Sequence, residues 1–173
     1  MNNELDKFDV ITPEEIESAV KLIGKDWMLI TAGKAERFNT MTASWGLLGE
    51  LWNKPVCTCF IRPQRYTYGF AEANDVMTMT FFDEKYRDAL KYCGSHSGRD
   101  GDKAKACGLT PIPVAEGDAV IFGEAKLALV CRKLYVTDLK KEEFLDSDAL
   151  GEYPKNDFHR VYVCEIEKVY RKK

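Results

Sequence analysis

The sequence predicts a mainly β domain, either a barrel or an α+β sheet, with a few helices around it. Three observations predict this class. Short apolar or alternating runs typical of strands recur along the chain, while only three or four segments have helical spacing. Strands and helices do not alternate regularly, which argues against a doubly wound parallel fold. The 173 residues contain no repeat, low-complexity stretch or linker, so we expect one domain over 1–173.

The first predicted helix follows Thr12, a capping residue, with Pro13 in the first turn and Glu15 completing a capping box. Apolar residues then recur at helical spacing until Gly24, a residue suited to end the helix. A polar turn is expected at 33–37. Further helical segments are predicted at 66–73, 84–92 and 102–107, with a charged helical turn at 140–145.

Strands are predicted where runs are apolar and β-branched or alternate with period two. The clearest run, V-M-T-M-T-F at 76–81, predicts a half-buried strand. Pro63 biases Arg62 to extended geometry at the end of another strand. Two runs around Gly123 are expected to form a long hairpin. The predicted strands are 27–31, 39–45, 56–61, 76–81, 120–122, 125–137 and 160–169.

Composition excludes several classes of function. The formal net charge of −3 argues against a surface dedicated to nucleic acid. No apolar run approaches the roughly 20 residues that a membrane helix requires. Residues 1–7 are polar and acidic and lack the apolar core of a signal peptide, so we expect a cytoplasmic protein.

The six cysteines are predicted to be buried, reduced thiols. There is no C-x-x-C pair, and with only two histidines the chain lacks the ligand spacing of a zinc site. Cys57 and Cys59 lie on a predicted strand, where residues two apart share a face. We therefore expect neither disulfides nor a metal site.

Two short runs carry most of the functional information: N-T-M-T-A-S-W-G at 39–46 and R-P-Q-R-Y-T at 62–67. The first places small hydroxyl side chains between an amide and a large aromatic ring. The second places two guanidiniums around a proline, followed by a hydroxyl. Hydroxyls and forked guanidiniums suit phosphate oxygens, and the aromatic ring suits a planar ligand. The runs predict a site for a phosphorylated, ring-bearing small molecule.

Several catalytic and nucleotide-binding motifs are missing. The glycines at 94, 98 and 101 do not have the G-x-G-x-x-G spacing, and no predicted strand precedes them. The chain also lacks a P-loop, a G-x-S-x-G elbow and an H-E-x-x-H motif. The sequence therefore contains none of these motifs for hydrolase or kinase chemistry.

Both runs, together with the loop C-G-S-H-S-G-R-D-G-D-K at 93–103, resemble the flavin reductase-like family, the FMN-binding split barrels that include the flavoredoxins. The likeness extends over most of the chain, through W-M-L-I-T-A-G, V-M-T-M-T-F-F and G-E-A-K-L-A-L-V-C-R-K-L-Y. The resemblance implies a Greek-key split barrel with a few flanking helices. It also implies a homodimer with FMN held near the subunit interface.

The resemblance further implies which residues contact the cofactor. Residues along the flavin would be Asn39, Met41, Thr42, Ala43, Ser44 and Trp45. Residues for the phosphate and ribityl chain would be Arg62, Gln64, Arg65, Tyr66 and Thr67, joined by Ser97, Gly98 and Lys103 from the 93–103 loop. A helix that starts near Gln64 would point its N–H groups toward the phosphate.

The two histidines are open to more than one interpretation. His159 lies in N-D-F-H-R-V-Y-V-C-E-I, which resembles the family segment whose histidine approaches the nicotinamide or flavin edge, although Cys164 stands where that segment often has glycine. A partly exposed histidine at the start of a strand is an equal alternative. His96, inside the 93–103 loop, faces either phosphate or solvent.

The implied function is an NAD(P)H-dependent flavin reductase, in which hydride passes from nicotinamide to bound FMN. No protein acid or base is obligatory for this reaction, and the sequence offers no catalytic pair. One alternative is an FMN electron carrier that serves a protein partner, as in flavoredoxins. A second is a flavin-free binding module. The choice between NADH and NADPH stays open.

Overall fold

The structure, a computed structural model, describes residues 4–16 and 18–173. The described residues form ten strands, eight of which make one antiparallel sheet. The strands are β1 Phe8–Ile11, β2 Met28–Lys34, β3 Arg37–Ala43, β4 Gly46–Leu51, β5 Lys54–Ile61, β6 Val76–Phe81, β7 Pro111–Val114, β8 Ala119–Phe122, β9 Leu127–Asp138 and β10 Arg160–Lys172.

The order of the strands requires the large sheet to close on itself. The order is β3-β2-β6-β9-β10-β5-β4, with β1 paired to β10. Its two outermost strands, β3 and β4, are consecutive in sequence and are separated only by Ser44 and Trp45. So short a connection brings the two edges of the sheet together, although they do not pair. The sheet is therefore a barrel that is split between β3 and β4, and we call this gap the seam.

The long strand β10 allows this curvature. It pairs with β5 along Arg160–Glu165 and with β1 along Val169–Lys172. Its ladder with β9 shifts register between Val163 and Cys164 and again between Ile166 and Lys168. Such irregularities bend a strand and increase its twist.

The helices are short and lie outside the barrel. The longest, α3, has nine residues, and none of the helices in the described part of the chain is both long and apolar enough to cross a membrane. The helices are α1 Ala19–Lys21, α2 Tyr66–Ala73, α3 Arg87–Ser95, α4 Lys103–Ala106 and α5 Ser147–Gly151.

The barrel interior is filled by alternate residues of the central strands. On β2, Met28 and Ile30 point into the barrel core, whereas Leu29 packs outside with Leu90 of α3 and Phe122 of β8. The same core takes in four cysteines, which are fully buried. Burial raises the pKa of the Cys59 thiol well above its ordinary value. These cysteines are Cys57, Cys59, Cys131 and Cys164.

The predicted fold class is confirmed, and several elements match closely. The helix predicted at 66–73 is α2, and the strand predicted at 76–81 is β6. However, β6 is buried on both faces rather than half-buried. Strand β8 covers its second face, where Thr78 Oγ1 donates to the Val120 carbonyl oxygen at 2.6 Å. Alternate residues of β6 therefore face the barrel core and β8, rather than the core and solvent.

The hairpin predicted around Gly123 is wrong. β8 pairs with β7, with Ile112 opposite Ile121. β9 pairs with β6 and β10 instead. The sequence P-I-P-V of β7 does not suggest a strand, because two of its four residues are prolines. β7 is a strand because it pairs with β8, and this pairing cannot be recognised in the sequence. Strand β4 was also not predicted, since Gly46, Gly49 and Glu50 interrupt its apolar pattern.

The helix predicted from Thr12 to Gly24 is broken. It includes residue 17, which lies outside the described residues. Residues 1–3 of the predicted polar N-terminus also lie outside them. Glu15 accepts the Thr12 N–H at 2.9 Å, as the capping box predicts. The turn nevertheless ends at Glu15, and α1 starts at Ala19. Val20, one of the apolar residues at helical spacing, is 85% exposed, so these residues do not form one continuous buried stripe.

Candidate functional site

The two motif runs and the 93–103 loop meet at Asn39. The Asn39 amide donates to Thr67 Oγ1 at 2.7 Å, which joins the first run to the second, and both side chains are buried. Gly98 approaches the same residue so closely that a Cβ on Gly98 would lie 1.9 Å from Asn39 Oδ1. Tertiary contacts therefore hold the three predicted segments together beside the seam.

A cavity of about 190 Å³ opens where the 62–67 run faces the 93–103 loop, and we call it the cationic cavity. Its lining contains two arginines and a lysine but no carboxylate. Cations without neighbouring carboxylates are the electrostatic signature of an anion site. The lining residues are Gln64, Arg65, Tyr66, Thr67, Gly94, Ser95, His96, Ser97, Gly98, Arg99 and Lys103.

Lys103 and Arg65 give the cavity its charge. Lys103 is only 5% exposed, and its Nζ donates to the Cys93 carbonyl oxygen at 3.0 Å. Burial lowers the pKa of Lys103, and the Arg65 guanidinium adds to this effect. Burial also lowers the pKa of Arg65. Because two partly desolvated cations repel each other, an anion between them would be stabilised.

The start of α2 also borders the cationic cavity. Arg65 is the N-cap, with φ −69° and ψ 136°, and no side chain caps the helix. Residues Arg65–Thr67 line the cavity, so the first turn of a helix without a side-chain cap lies at its wall. Unsatisfied N–H groups at a helix start favour an anion. The helix was expected to start near Gln64 and starts two residues later.

A second cavity of about 200 Å³ lies at the seam, and we call it the Trp45 cavity. Its wall is formed by the end of β3 and its connection to β4, together with Phe60, His159 and two arginines. Trp45 is 44% exposed and therefore is not a core residue. Arg65 lines both cavities and marks the boundary between them. The lining residues are Met41, Thr42, Ala43, Ser44, Trp45, Phe60, Arg62, Arg65 and His159.

The two predicted arginines have different surroundings. Arg62 forms an ion pair with Asp157 at 2.6 Å and donates to the Glu152 carbonyl oxygen at 3.1 Å. Gln64 Nε2 donates to the same Asp157 oxygen at 2.6 Å. Arg65 forms no ion pair with any carboxylate of residues 4–16 and 18–173. Arg62 and Gln64 are thus engaged by the 152–157 segment, whereas Arg65 is available to a ligand.

Two hydroxyls of the first run are already occupied by the protein. Thr40 Oγ1 lies 2.9 Å from Thr31 Oγ1 and donates to the Ile30 carbonyl oxygen at 3.3 Å. Thr42 Oγ1 donates to the Leu90 carbonyl oxygen. The side chain of Met41 is 5% exposed and packs in the barrel core. At these three positions the backbone, rather than the side chain, is left for a ligand.

His159 is buried at the floor of the Trp45 cavity. Its Nδ1 lies 2.8 Å from the Tyr153 hydroxyl, and its ring centroid is 5.3 Å from that of Trp45. Burial lowers the pKa of His159 to about 4, and the Arg62 charge acts in the same direction. The ring is therefore neutral at pH 7. A neutral His159 whose Nδ1 accepts the Tyr153 hydroxyl proton carries its own proton on Nε2.

The other histidine is directed elsewhere. His96 stacks on Tyr92 with ring centroids 3.8 Å apart, and its Nδ1 lies 3.1 Å from Ser95 Oγ. It is exposed at the rim of the cationic cavity. Ser97, next along the loop, uses its hydroxyl to accept the Arg99 N–H at 3.2 Å.

Sequence reasoning did not identify Tyr153, Asp157 or Arg99 as part of the site. Arg62 lies over the Tyr153 ring at 5.1 Å and pairs with Asp157, while Arg99 lies over the Tyr66 ring at 4.9 Å. Asp157 and His159 are two residues apart in N-D-F-H-R. This D-x-H spacing was the one available signal, because it puts both side chains on one side of an extended segment.

Comparison with known proteins identifies the family. The model of the flavin reductase like domain matches residues 21–173, so the chain belongs to this family. No curated protein matches. Flavoredoxin from Methanosarcina acetivorans superposes with a TM-score of 0.68 at 20% identity, covering 86% of this chain and 69% of that one.

Two further solved structures are similar. An FMN-binding domain of a flavin reductases-like enzyme from Shewanella baltica gives a TM-score of 0.69 at 15% identity, covering 95% of this chain and 77% of that one. An NADH:FAD oxidoreductase from Streptomyces globisporus, in complex with NAD and FAD fragments, gives a TM-score of 0.65 at 14% identity, covering 94% of this chain and 86% of that one. The split-barrel fold expected from the sequence is confirmed.

Proposed function

We propose that the chain binds FMN, with the phosphate in the cationic cavity and the flavin ring in the Trp45 cavity. The observation that carries this proposal is the cationic cavity, where the buried Lys103 and the half-buried Arg65 repel each other and no carboxylate lines the wall. A phosphate dianion would relieve the repulsion between the two cations. Membership of the flavin reductase-like family supports the same ligand.

The residues of the site fit the cofactor. Gly98 has no side chain to block its contact with Asn39, so the loop can close on the phosphate. Thr67 and Ser97 add hydroxyls to the cavity wall. The backbone of Met41–Trp45 lines the neighbouring cavity, which has an aromatic side chain at its mouth. Redox chemistry, the uptake of a hydride from a reduced nicotinamide, would be supplied by the bound flavin.

The reductase hypothesis assigns limited roles to the protein. Arg65 and Lys103 would bind the phosphate, Trp45 and Phe60 line the ring cavity, and the neutral imidazole of His159 lies at the wall of the same cavity. Tyr153 holds the orientation of the His159 ring through Nδ1. Arg62 and Gln64 act by holding Asp157 at the edge of the site. The proposed function is an NAD(P)H-dependent flavin oxidoreductase.

An electron carrier of the flavoredoxin type is the second candidate. The observation that favours it is the exposure of the seam: Trp45 is 44% exposed and Leu47, two residues further on, is 61% exposed. A flavin held there would be accessible to a protein partner. Similarity to a flavoredoxin in fold supports this candidate without deciding between the two.

We also propose a homodimer built on the same face. Strand β4 is a sheet edge, and its outward residues Leu47 and Leu51 are 61% and 41% exposed. Trp52, 54% exposed, lies against Tyr135 of β9 with ring centroids 6.3 Å apart. An exposed apolar edge strand invites pairing with a second chain. A partner there would also cover the mouth of the Trp45 cavity.

Two measurements test the proposed function. The visible spectrum of the purified protein should contain a flavin band, and FMN added to stripped protein should raise its melting temperature. Colourless protein with no thermal shift from FMN would contradict FMN binding and support the flavin-free binding module.

Anaerobic mixing of the FMN-loaded protein with NADH or NADPH then separates the two candidates. Prompt bleaching of the flavin absorbance is the result expected of a reductase. Absence of bleaching with either nucleotide, together with full reduction by dithionite, would instead support the electron carrier.

A further inference from the structure

A further cavity lies next to the proposed FMN site and is not used by it. It has a volume of about 590 Å³ and runs between the β2–β3 turn and α2; we call it the Tyr66 groove. None of the residues 41–45 lines it, so a flavin ring in the Trp45 cavity leaves it free. Its size is within the range of small-molecule sites.

The groove is cationic. Lys34, Arg37, Arg65 and Arg99 line it, against one carboxylate, Glu36. Lys34 is committed to Asp118, at 2.7 Å. Arg37 and Arg99 form no ion pair with a carboxylate in the part of the chain that the structure describes. Two forked guanidiniums without carboxylate partners suit the oxygens of a phosphate.

The groove is also aromatic. Tyr66 and Phe70 lie one helical turn apart on α2, with ring centroids 5.2 Å apart and an interplanar angle of 82°. The Arg99 guanidinium lies over the Tyr66 ring at 4.9 Å, and that of Arg37 over the Phe70 ring at 5.6 Å. Gly69, between the two rings, has open space where a side chain would be. Rings and guanidinium planes together form a surface on which a purine can stack.

The groove is continuous with the cationic cavity. Arg65, Tyr66 and Arg99 line both. A smaller cavity of about 290 Å³, bordered by Arg37, Tyr66, Gly98 and Lys103, lies against the two. A ligand in the groove would therefore lie beside the phosphate of a cofactor bound in the cationic cavity.

We infer that the Tyr66 groove is a second subsite, for an adenosine phosphate bound alongside FMN. The purine would lie against the Tyr66–Phe70 pair, flat on one ring and edge-on to the other, and Arg37 and Arg99 would bind its phosphate. This inference rests on the proposed function for the position of FMN. The adenosine phosphate would come either from the adenylate half of FAD or from the adenosine end of the nicotinamide dinucleotide.

The test measures AMP binding by calorimetry to the FMN-loaded protein. Arg37→Gln and Arg99→Gln should each weaken AMP binding about tenfold or more, because each removes a charge-assisted contact. FMN affinity should change less than twofold in Arg37→Gln, because Arg37 does not line the cationic cavity. The matched control is Lys168→Gln, a lysine that also lies over an aromatic ring, Tyr170 at 5.5 Å, but lines none of these cavities. This control should bind AMP like the unchanged protein.

Further measurements distinguish the two sources. If the groove serves FAD, stripped protein binds FAD more tightly than FMN, and Arg37→Gln removes that difference. If it serves the dinucleotide, AMP competes with NADH or NADPH in flavin reduction, and Arg37→Gln raises KM without changing kcat. Either result supports the subsite.

Three results would overturn the inference. They are no AMP binding to the FMN-loaded protein, AMP binding that is unchanged in both arginine variants, and an equal loss of AMP and FMN binding in Arg37→Gln. The last result would make the groove part of the FMN site itself. Failure of the proposed function is separate, because protein that takes up no FMN is recognised from its spectrum before AMP is added.

Discussion

At the scale of single residues, the site depends on which of its charged groups the protein has already neutralised. Arg62 and Arg65 are equivalent in sequence, on either side of Pro63-Gln64. Asp157 engages Arg62 at 2.6 Å and leaves Arg65 to face Lys103. Buried cations without a carboxylate are held at an energetic cost that a bound anion removes. We therefore attribute the proposed phosphate recognition mainly to Arg65 and Lys103.

The first prediction concerns Arg65→Ala. Loss of a charge-assisted contact should weaken FMN binding by about 1–3 kcal/mol. Riboflavin, which lacks the phosphate, should bind the variant and the unchanged protein alike. Fluorescence titration of stripped protein with both flavins measures this. Arg132→Ala, on the exposed part of β9, is the control and should leave both affinities unchanged. An equal loss for FMN and riboflavin would show that Arg65 does not bind the phosphate.

The second prediction concerns pH and His159. Its pKa of about 4 in the folded protein lies below its ordinary value of 6.5. Between these values the unfolded chain binds a proton that the folded chain does not, so the free energy of unfolding decreases as pH falls from 6.5 to 4. The largest contribution is about 3 kcal/mol. Urea unfolding of the unchanged protein and of His159→Gln should show a shallower pH dependence in the variant.

Asp157 affects the free energy of unfolding in a different pH range from His159. Hydrogen bonding to Arg62 lowers the pKa of Asp157 below its ordinary 3.8. The contribution of Asp157 to the free energy of unfolding is present above pH 3.8 and is lost as the pH falls further. This range lies below the one assigned to His159. Identical slopes for the two proteins between pH 6.5 and 4 would mean that the imidazole takes up a proton without penalty and is not buried as described.

At the scale of elements, the 93–103 loop is positioned by close packing on β3. A Cβ at Gly98 would lie 1.9 Å from Asn39 Oδ1 and 2.9 Å from Tyr66 Cδ1, whereas a Cβ at Gly101 meets nothing within 4 Å. Two glycines of one loop thus have opposite environments. The difference makes them a matched pair for testing whether the loop position matters for binding.

The third prediction is that Gly98→Ala displaces the loop and weakens FMN binding about tenfold, because Ser97 and Lys103 move away from the phosphate. Overpacking should also lower the free energy of unfolding by about 1–3 kcal/mol. Gly101→Ala should change neither quantity appreciably. Fluorescence titration and urea unfolding measure the two effects. If both variants bind FMN as tightly as the unchanged protein, the contact between the loop and Asn39 does not determine the site.

At the scale of the whole molecule, the seam determines where a ligand can bind. β3 and β4 are consecutive in sequence but unpaired, so their connection, Ser44 and Trp45, leaves a gap in the barrel wall. The Trp45 cavity occupies this gap, and the exposed side chains Leu47 and Leu51 continue from it along β4. The proposed dimer and the proposed flavin site therefore share one face.

The fourth prediction is that Leu47→Glu converts a dimer into a monomer and weakens FMN binding, because charge is placed in an apolar contact that also covers the flavin site. Light scattering after size-exclusion chromatography and flavin titration measure these effects. Leu145→Glu is the control, since Leu145 is fully exposed, at 102%, on a different segment, and the change there should affect neither. A monomeric unchanged protein would contradict the proposed interface.

The sequence by itself determined the family and much of the local structure. Periodicity located α2 and β6, and the motif runs indicated the family that the domain match confirms. These features depend on residues near one another in the chain, so a linear pattern carries them. The same pattern led to a wrong hairpin around Gly123, because strand partners depend on residues that are distant in sequence.

Only the tertiary structure decided which predicted residues remain available to a ligand. Asp157, 95 positions from Arg62, neutralises that arginine, while Arg65 keeps its charge. Tyr153 orients His159, and burial holds its imidazole neutral. The Tyr66 groove likewise exists only because α2 packs beside the β2–β3 turn. Charge balance and desolvation depend on distances in space, and the sequence does not contain those distances.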